Sequence, residues 1–192
     1  MKIKRLAAYI IDFFIIYIIA ALIYSLPVFE NSYNAYQEAT QEYVDYVVNI
    51  GSGEIDYDTE TDYLYDMSRH AQPLTIINCG LIILYFGIYA YITNGQTIGK
   101  KIMKIKVVST DGNKLNPNLF MLREIILTNL LPKIASIIAL ALLSKSNWIL
   151  AENIIGYIQN TITFLIIGFM IFRDDERGLH DVICKTNVVS TK

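Results

Sequence analysis

The residue of this chain with the most chemistry to offer is an acid in the wrong solvent. Asp12 lies inside the apolar run Leu6 to Phe29, which follows the basic cluster Lys2, Lys4, Arg5 and holds no other charge. A helix of that length crosses about 30 Å of hydrocarbon with something left for tilt. A carboxylate one to two turns deep costs on the order of 2.5 to 3.5 kcal/mol even on lenient insertion scales, so it must face protein or water. Arg5 stands seven residues earlier on nearly the same helix face, and the spacing predicts that the two pair. The run is read as an uncleaved first span, since it carries Asp12 and ends at Leu26, Pro27, Val28 without a small-residue cleavage site.

Other polar groups fall at similar depth. Lys133 follows Thr128, Asn129 and Pro132 within the apolar run 119–143, where the proline predicts a kink facing protein or water. In the run 149–172, Glu152, Gln159 and Thr163 recur at i, i+7 and i+11, with Gly156 at i+4 and Asn160 just beside them. In a bilayer such a stripe turns inward, here toward Asp12, Asn78, Asn129 and Lys133. A buried carboxylate near buried bases, lined by amides and hydroxyls, is what a proton or cation relay requires. In that reading Asp12 takes the ion, Arg5 and Lys133 tune it, and Asn129, Gln159 and Asn160 offer neutral oxygens.

The elements that must hold these groups follow from composition. The chain has 192 residues, 54% of them hydrophobic, and a mean hydropathy of +0.39, too apolar for an ordinary soluble domain and suited to one membrane bundle. Four spans are predicted, over 6–29, 74–93, 119–143 and 149–172, making an all-α, four-helix transmembrane bundle. The segment 30–73 holds ten of the 18 acids, seven of the 14 tyrosines and one base, Arg69. It is expected to be a long extracellular loop, with Asn31 to Asn49 able to form a helix and Ile50 to Glu60 a turn. The loop 94–118 is basic, which places it, and with it the tail 173–192 and both termini, in the cytoplasm of a multi-pass protein of a bacterial cell membrane.

Several chemistries are excluded on spacing. Gly95, Gly99 and Lys100 lack the spacing and the following Ser or Thr of a phosphate loop. The acids Asp56, Asp58, Glu60 and Asp62 lack the glycine and terminal glutamate of a calcium loop. His70 and His180 are too far apart for a ligand motif, so no metal is expected. His180 beside Asp181 invites a general-base story, but no nucleophile motif accompanies it, and the chain is read as no enzyme. The two are expected to cap a helix or to pair at the cytoplasmic interface with Arg5 or Arg177. Cys79 and Cys184 lie in different surroundings and predict no disulfide. No cofactor and no nucleic-acid partner are implied.

A small β element is also expected. Ile105 to Thr110 reads as a strand before the turn Asp111-Gly112, and its Val-Val-Ser-Thr recurs at 188–191, so the two stretches are predicted to pair beneath the bundle. Such a pair is marginal alone and needs the bundle's support.

Three stretches together resemble the RDD family of bacterial membrane proteins. They are Arg5-Leu-Ala-Ala-Tyr-Ile-Ile-Asp12; Gly95-Gln-Thr-Ile-Gly-Lys-Lys-Ile-Met-Lys-Ile-Lys-Val-Val108; and Arg177-Gly-Leu-His-Asp181 with Thr186, Val188 and Val189. The resemblance maps the arginine and two aspartates of the family's name onto Arg5, Asp12 and Asp181, and it covers nearly the whole chain except 30–73. Two departures stand out: Lys104 where a glycine is commoner, and Cys184-Lys185 in place of a small pair. The resemblance implies a membrane bundle with a transport role, for which proton-coupled sodium exchange has been suggested in some members.

Two function classes follow. One is a transporter or exchanger of a small cation or proton around Asp12, where a homo-oligomer would make up for the few spans. The other is a non-catalytic interaction or accessory protein, of assembly or immunity type, that recognises an extracellular partner through the acidic, Tyr-rich segment 30–73.

Overall fold

The structure is a computed structural model that describes residues 1–51 and 53–191; Ser52, in the predicted 50–60 turn, and Lys192, at the end of the tail, lie outside the described residues. It is mostly helical with a small two-stranded sheet. Among the described residues, three helices are long and apolar enough to cross a membrane: Lys2–Tyr24, Tyr57–Ile92 and Lys145–Phe172. A fourth candidate is the pair Pro117–Leu127 and Leu130–Leu142, bent by 69° at its break.

Helix α1 (Lys2–Tyr24) buries Arg5, Ala8, Asp12, Ile16 and Ala20, one face at three- and four-residue spacing. Its other faces carry exposed apolar side chains such as Leu6, Phe14 and Leu22, as a lipid-facing surface would. The helix stops at Tyr24 rather than running to residue 29. Pro27 begins α2 (Pro27–Ile50), and Leu26 before it is extended, at φ −73° and ψ 141°, as the proline ring demands.

The 30–73 segment is a helical hairpin: Asn31 to Asn49 is helical as expected, and the residues after the turn, expected as loop, are helical from Tyr57 on. Helix α2 packs on α3 (Tyr57–Ile82), whose cap residue Asp56 accepts from Asp58 N and from Thr59 Oγ1. Tyr46 and Tyr63 meet with ring centroids 5.0 Å apart, and Tyr43 donates to Glu60 at 3.2 Å. The tyrosines that look like loop composition are the contacts of the hairpin. Helix α3 continues through a π-helical segment, Ile83–Tyr89, into the single turn α4 (Ala90–Ile92). A wider turn rotates the side chains that follow it, and here it presents Tyr85 and Phe86 to α1.

Next come α5 (Ile98–Ile102) and β1 (Ile105–Ser109), later α9 (Leu179–Ile183) and β2 (Thr186–Ser190). The strands are antiparallel, with Val107 opposite Val188. Each unit is a five-residue helix, a lysine in the left-handed region (Lys104 φ 54°, Lys185 φ 51°) and a strand. The two units interlock reciprocally: Thr110 N donates to Lys185 O at 2.9 Å and Thr191 N to Lys104 O at 2.8 Å. The sheet is held up by a core of Ala8, Ala90, Ile105, Val107, Phe120 and Val188.

Helices α6 (Pro117–Leu127) and α7 (Leu130–Leu142) form the bent pair, and α8 (Lys145–Phe172) follows. The bend lies at Thr128 and Asn129, the latter left-handed at φ 53°, one turn before the proline that predicts it. Pro132 has no N–H for the carbonyl of Thr128, and Lys133 Nζ donates to that oxygen at 3.4 Å instead.

Candidate functional site

The ionisable groups gather at the end of the bundle where α5, α9 and the sheet pack under α1 and α6. Asp12 is fully buried, yet it does not pair with Arg5. Its carboxylate accepts from Tyr85 OH at 2.6 Å, Thr97 Oγ1 at 2.5 Å and Gly99 N at 2.7 Å. Seven residues of helix separate Arg5 from Asp12 by about 10 Å of rise, and the shared face leaves each to meet a different element. Asp12 is thus the point at which α5 docks on α1. Gly99 is required there, because a Cβ would sit 2.3 Å from Ala8 O and 2.8 Å from the Asp12 carboxylate.

Arg5 reaches the second aspartate instead. Asp181 accepts from Arg5 Nη2, from Arg123 Nε at 2.9 Å, from Thr186 Oγ1 at 3.1 Å and from Gly178 N at 3.3 Å. Arg5 also donates to Glu176 O, and Arg177 donates to Thr186 O and Asp181 O, both at 3.1 Å. One carboxylate therefore ties α1, α6, α9 and β2 together. Burial acts to raise the Asp181 carboxyl, but the guanidiniums of Arg123 and Arg5 outweigh it and hold it well below the usual carboxylate range.

Arg123 is also bonded to Glu124, its neighbour in sequence. Lys100 Nζ stands 3.5 Å from Glu124 Oε1 and makes no hydrogen bond. Burial lowers its pKa, against the pull of the Glu124 charge. His180, pushed down to about 3 chiefly by burial, is a neutral imidazole with Nδ1 unpaired. Glu124 Oε2 and Asn129 Oδ1 also lack partners. Buried polar atoms without partners cost about 1–3 kcal/mol each, and Lys100, Asn129 and His180 all line one place in the fold.

That place is a cavity of about 490 Å³. Its floor carries Arg5, Asp12, Lys100, Arg123 and His180, and its walls are apolar side chains of α1 and α8, among them Leu6, Tyr9, Ile166 and Met170. Asn129 and Thr163 line it as well and are joined by a hydrogen bond of 3.0 Å.

The predicted polar stripe of α8 does not converge on Asp12. Only Thr163 reaches the cavity; Gln159 is half-buried one turn away, and Asn160 is exposed. Glu152 accepts from Ser136 on α7, toward the other end. Lys133 is occupied with the bend. Gly95, at φ +82°, shapes the turn under β1, where a Cβ would lie 2.4 Å from Val107 O. Tyr85, Thr97, Arg123 and Glu124 complete the site without having been singled out as site residues. Arg123 and Glu124 carried a signal, adjacent opposite charges at the head of an apolar run. Tyr85 carried none, since its position depends on the π segment.

A profile described as RDD family matches residues 3–185. The uncharacterized protein YxaI of Bacillus subtilis (strain 168) is 28% identical over 134 residues, covering 69% of each chain. No solved structure matches the chain.

Proposed function

With the chain belonging to the RDD family as the premise, we propose that it is a proton-linked membrane carrier whose ligand site is the cavity between α1 and α8. The observation that carries this reading is Lys100 Nζ, buried without a hydrogen bond at the cavity floor beside Glu124. A lysine whose proton is loosened by burial and held by one carboxylate can release it when the neighbouring charge changes, and recover it afterwards. The proton is the small cation suited to this arrangement. A metal cation at Asp12 is disfavoured, because the oxygens it would need already accept three hydrogen bonds.

The charge segregation supports a multi-pass orientation in a cell membrane, with both termini and the sheet in the cytoplasm and the α2–α3 hairpin tip outside. The lipid bilayer is the primary partner, and a homo-oligomer would widen the path that so few spans provide. The chain works as no enzyme in this reading. In proteoliposomes carrying a pH-sensitive dye, the protein should dissipate an imposed pH gradient and Lys100→Met should abolish the flux; an unchanged rate in the variant removes Lys100 from the path.

A second reading, an accessory protein docking a partner, is favoured by Val44, Val47 and Val48, which stand exposed on α2 of the acidic hairpin. Excising 31–72 would cut into continuous α3, so Val44→Ser with Val48→Ser is the better test. Loss of a co-purifying partner with intact flux supports docking there, and an unchanged complex counts against it.

A further inference from the structure

We infer that the cavity takes an anionic phospholipid of the surrounding bilayer, which enters sideways between α1 and α8 and sets its phosphate against Lys100. This rests on the carrier reading only in taking the cavity as the ligand site, and it names the class of substrate.

Three observations converge. First, the lips of the cavity are apolar and open: Ile3, Leu6, Ile167 and Ile171 line it and are exposed on the helix surfaces that face lipid. The two helices are bridged at the mouth by the exposed hydrogen bond from Lys2 Nζ to Ile171 O, 3.0 Å, which a flexible lysine can release. Second, the charged residues lining it are Lys2, Arg5, Lys100 and Arg123 against Asp12, whose oxygens are already used, while Glu124 stands behind Lys100 and Asp181 behind the two arginines. Of those bases, Lys100 is the one whose head is buried without a hydrogen bond; its side chain is 9% exposed. A buried ammonium with donors to spare is complementary to a phosphate and to no zwitterion whose own cation must be buried with it.

Third, the dimensions suit a lipid. Along α1 the lining runs from Lys2 to Asp12, about 15 Å at the helical rise, which is half of a hydrocarbon core of about 30 Å. A cavity of about 490 Å³ falls in the range of about 300–1,000 Å³ that holds a drug-sized group, so it takes the headgroup and the upper part of an acyl chain while the rest of the lipid stays in the bilayer. A hydrated metal ion or a sugar would leave those apolar walls wet; an acyl chain covers them.

Native mass spectrometry of the protein released from nanodiscs tests this, with phosphatidylglycerol and phosphatidylcholine of identical chains offered in equal amounts. Phosphatidylglycerol should be retained at least about tenfold over phosphatidylcholine. Both Lys100→Met and Ile167→Trp, the latter filling the wall at an exposed position, should abolish the preference. Millimolar inorganic phosphate should not displace the lipid. Equal retention of the two lipids by the wild-type protein, an unchanged preference in Ile167→Trp, or displacement by free phosphate each overturns the inference. Selective retention without proton flux would fell the carrier reading and leave the lipid site standing; flux without selective retention would do the reverse.

Discussion

Two aspartates lie buried in this protein, Asp12 on α1 and Asp181 on α9, and they are satisfied in opposite ways. Asp12 is held by two hydroxyls and one backbone N–H, with no cation in contact. Asp181 is held by two guanidiniums, a hydroxyl and a backbone N–H. Neutral donors dock one element on another without fixing the charge of the neighbourhood. Guanidiniums do fix it, and so leave Lys100, buried beside Glu124 without a hydrogen bond, as the adjustable charge of the proposed site. Arg5 is therefore joined to Asp181 across the fold rather than to Asp12 along the helix.

The comparison can be broken most forcefully at Asp181. Asp181→Asn leaves Arg5 and Arg123 facing each other around a neutral amide, and stability should fall by about 3–5 kcal/mol, the range for a broken buried ion pair. Chemical denaturation in detergent measures it, and a loss below about 1 kcal/mol would show the cluster to be hydrated. Asp12→Asn should cost less, about 1–3 kcal/mol, since the amide keeps one acceptor and turns a donor toward donors. If it proves the costlier of the two, the contrast between neutral and charged support is wrong. Gly99→Ala should fall alongside it, at about 1–3 kcal/mol, by prising α5 from α1; amide exchange should then rise at Thr97 to Ile102.

Acid sharpens the contrast further. His180 titrates near 3 when folded and near 6.5 when unfolded, so the unfolded chain binds more protons between those values and stability falls as pH drops through that window. The Asp181 carboxyl, depressed when folded, contributes stability above its unfolded pKa of about 4 that is lost as pH falls further. A melting series from pH 8 to pH 3 should stay level down to about pH 6.5 and decline below it, and His180→Asn should flatten the upper part of that decline. The smallest effect is expected at the left-handed lysines. Lys104→Gly and Lys185→Gly should each stabilise by up to about 1 kcal/mol, and by similar amounts if the two helix–strand units are equivalent.

The apolar runs and the recurring Val-Val-Ser-Thr were legible because each is a local pattern. The strand pairing followed from the repeat, and the left-handed Lys104 and Lys185 occupy the positions where the resemblance noted a departure from small residues. In 30–73 the helix over Asn31 to Asn49 and the turn after it were legible, while the start of α3 at Tyr57 was not, because acids and tyrosines look like loop composition when the partner helix is out of view. The true partner of Asp12 was hidden for a different reason. A helical wheel shows which residues share a face, not which element that face meets, and Tyr85 reaches Asp12 only through a π turn that no period announces. The α8 stripe was a correct pattern with too strong a conclusion: its members face other helices at different heights.

The sharpest single measurement compares Asp12→Asn with Lys100→Met in one proteoliposome assay of proton flux, normalised to folded protein. Flux retained in Asp12→Asn and lost in Lys100→Met is the expected result; flux lost in Asp12→Asn and retained in Lys100→Met would return the working charge to the first helix and contradict the division of labour between the two aspartates.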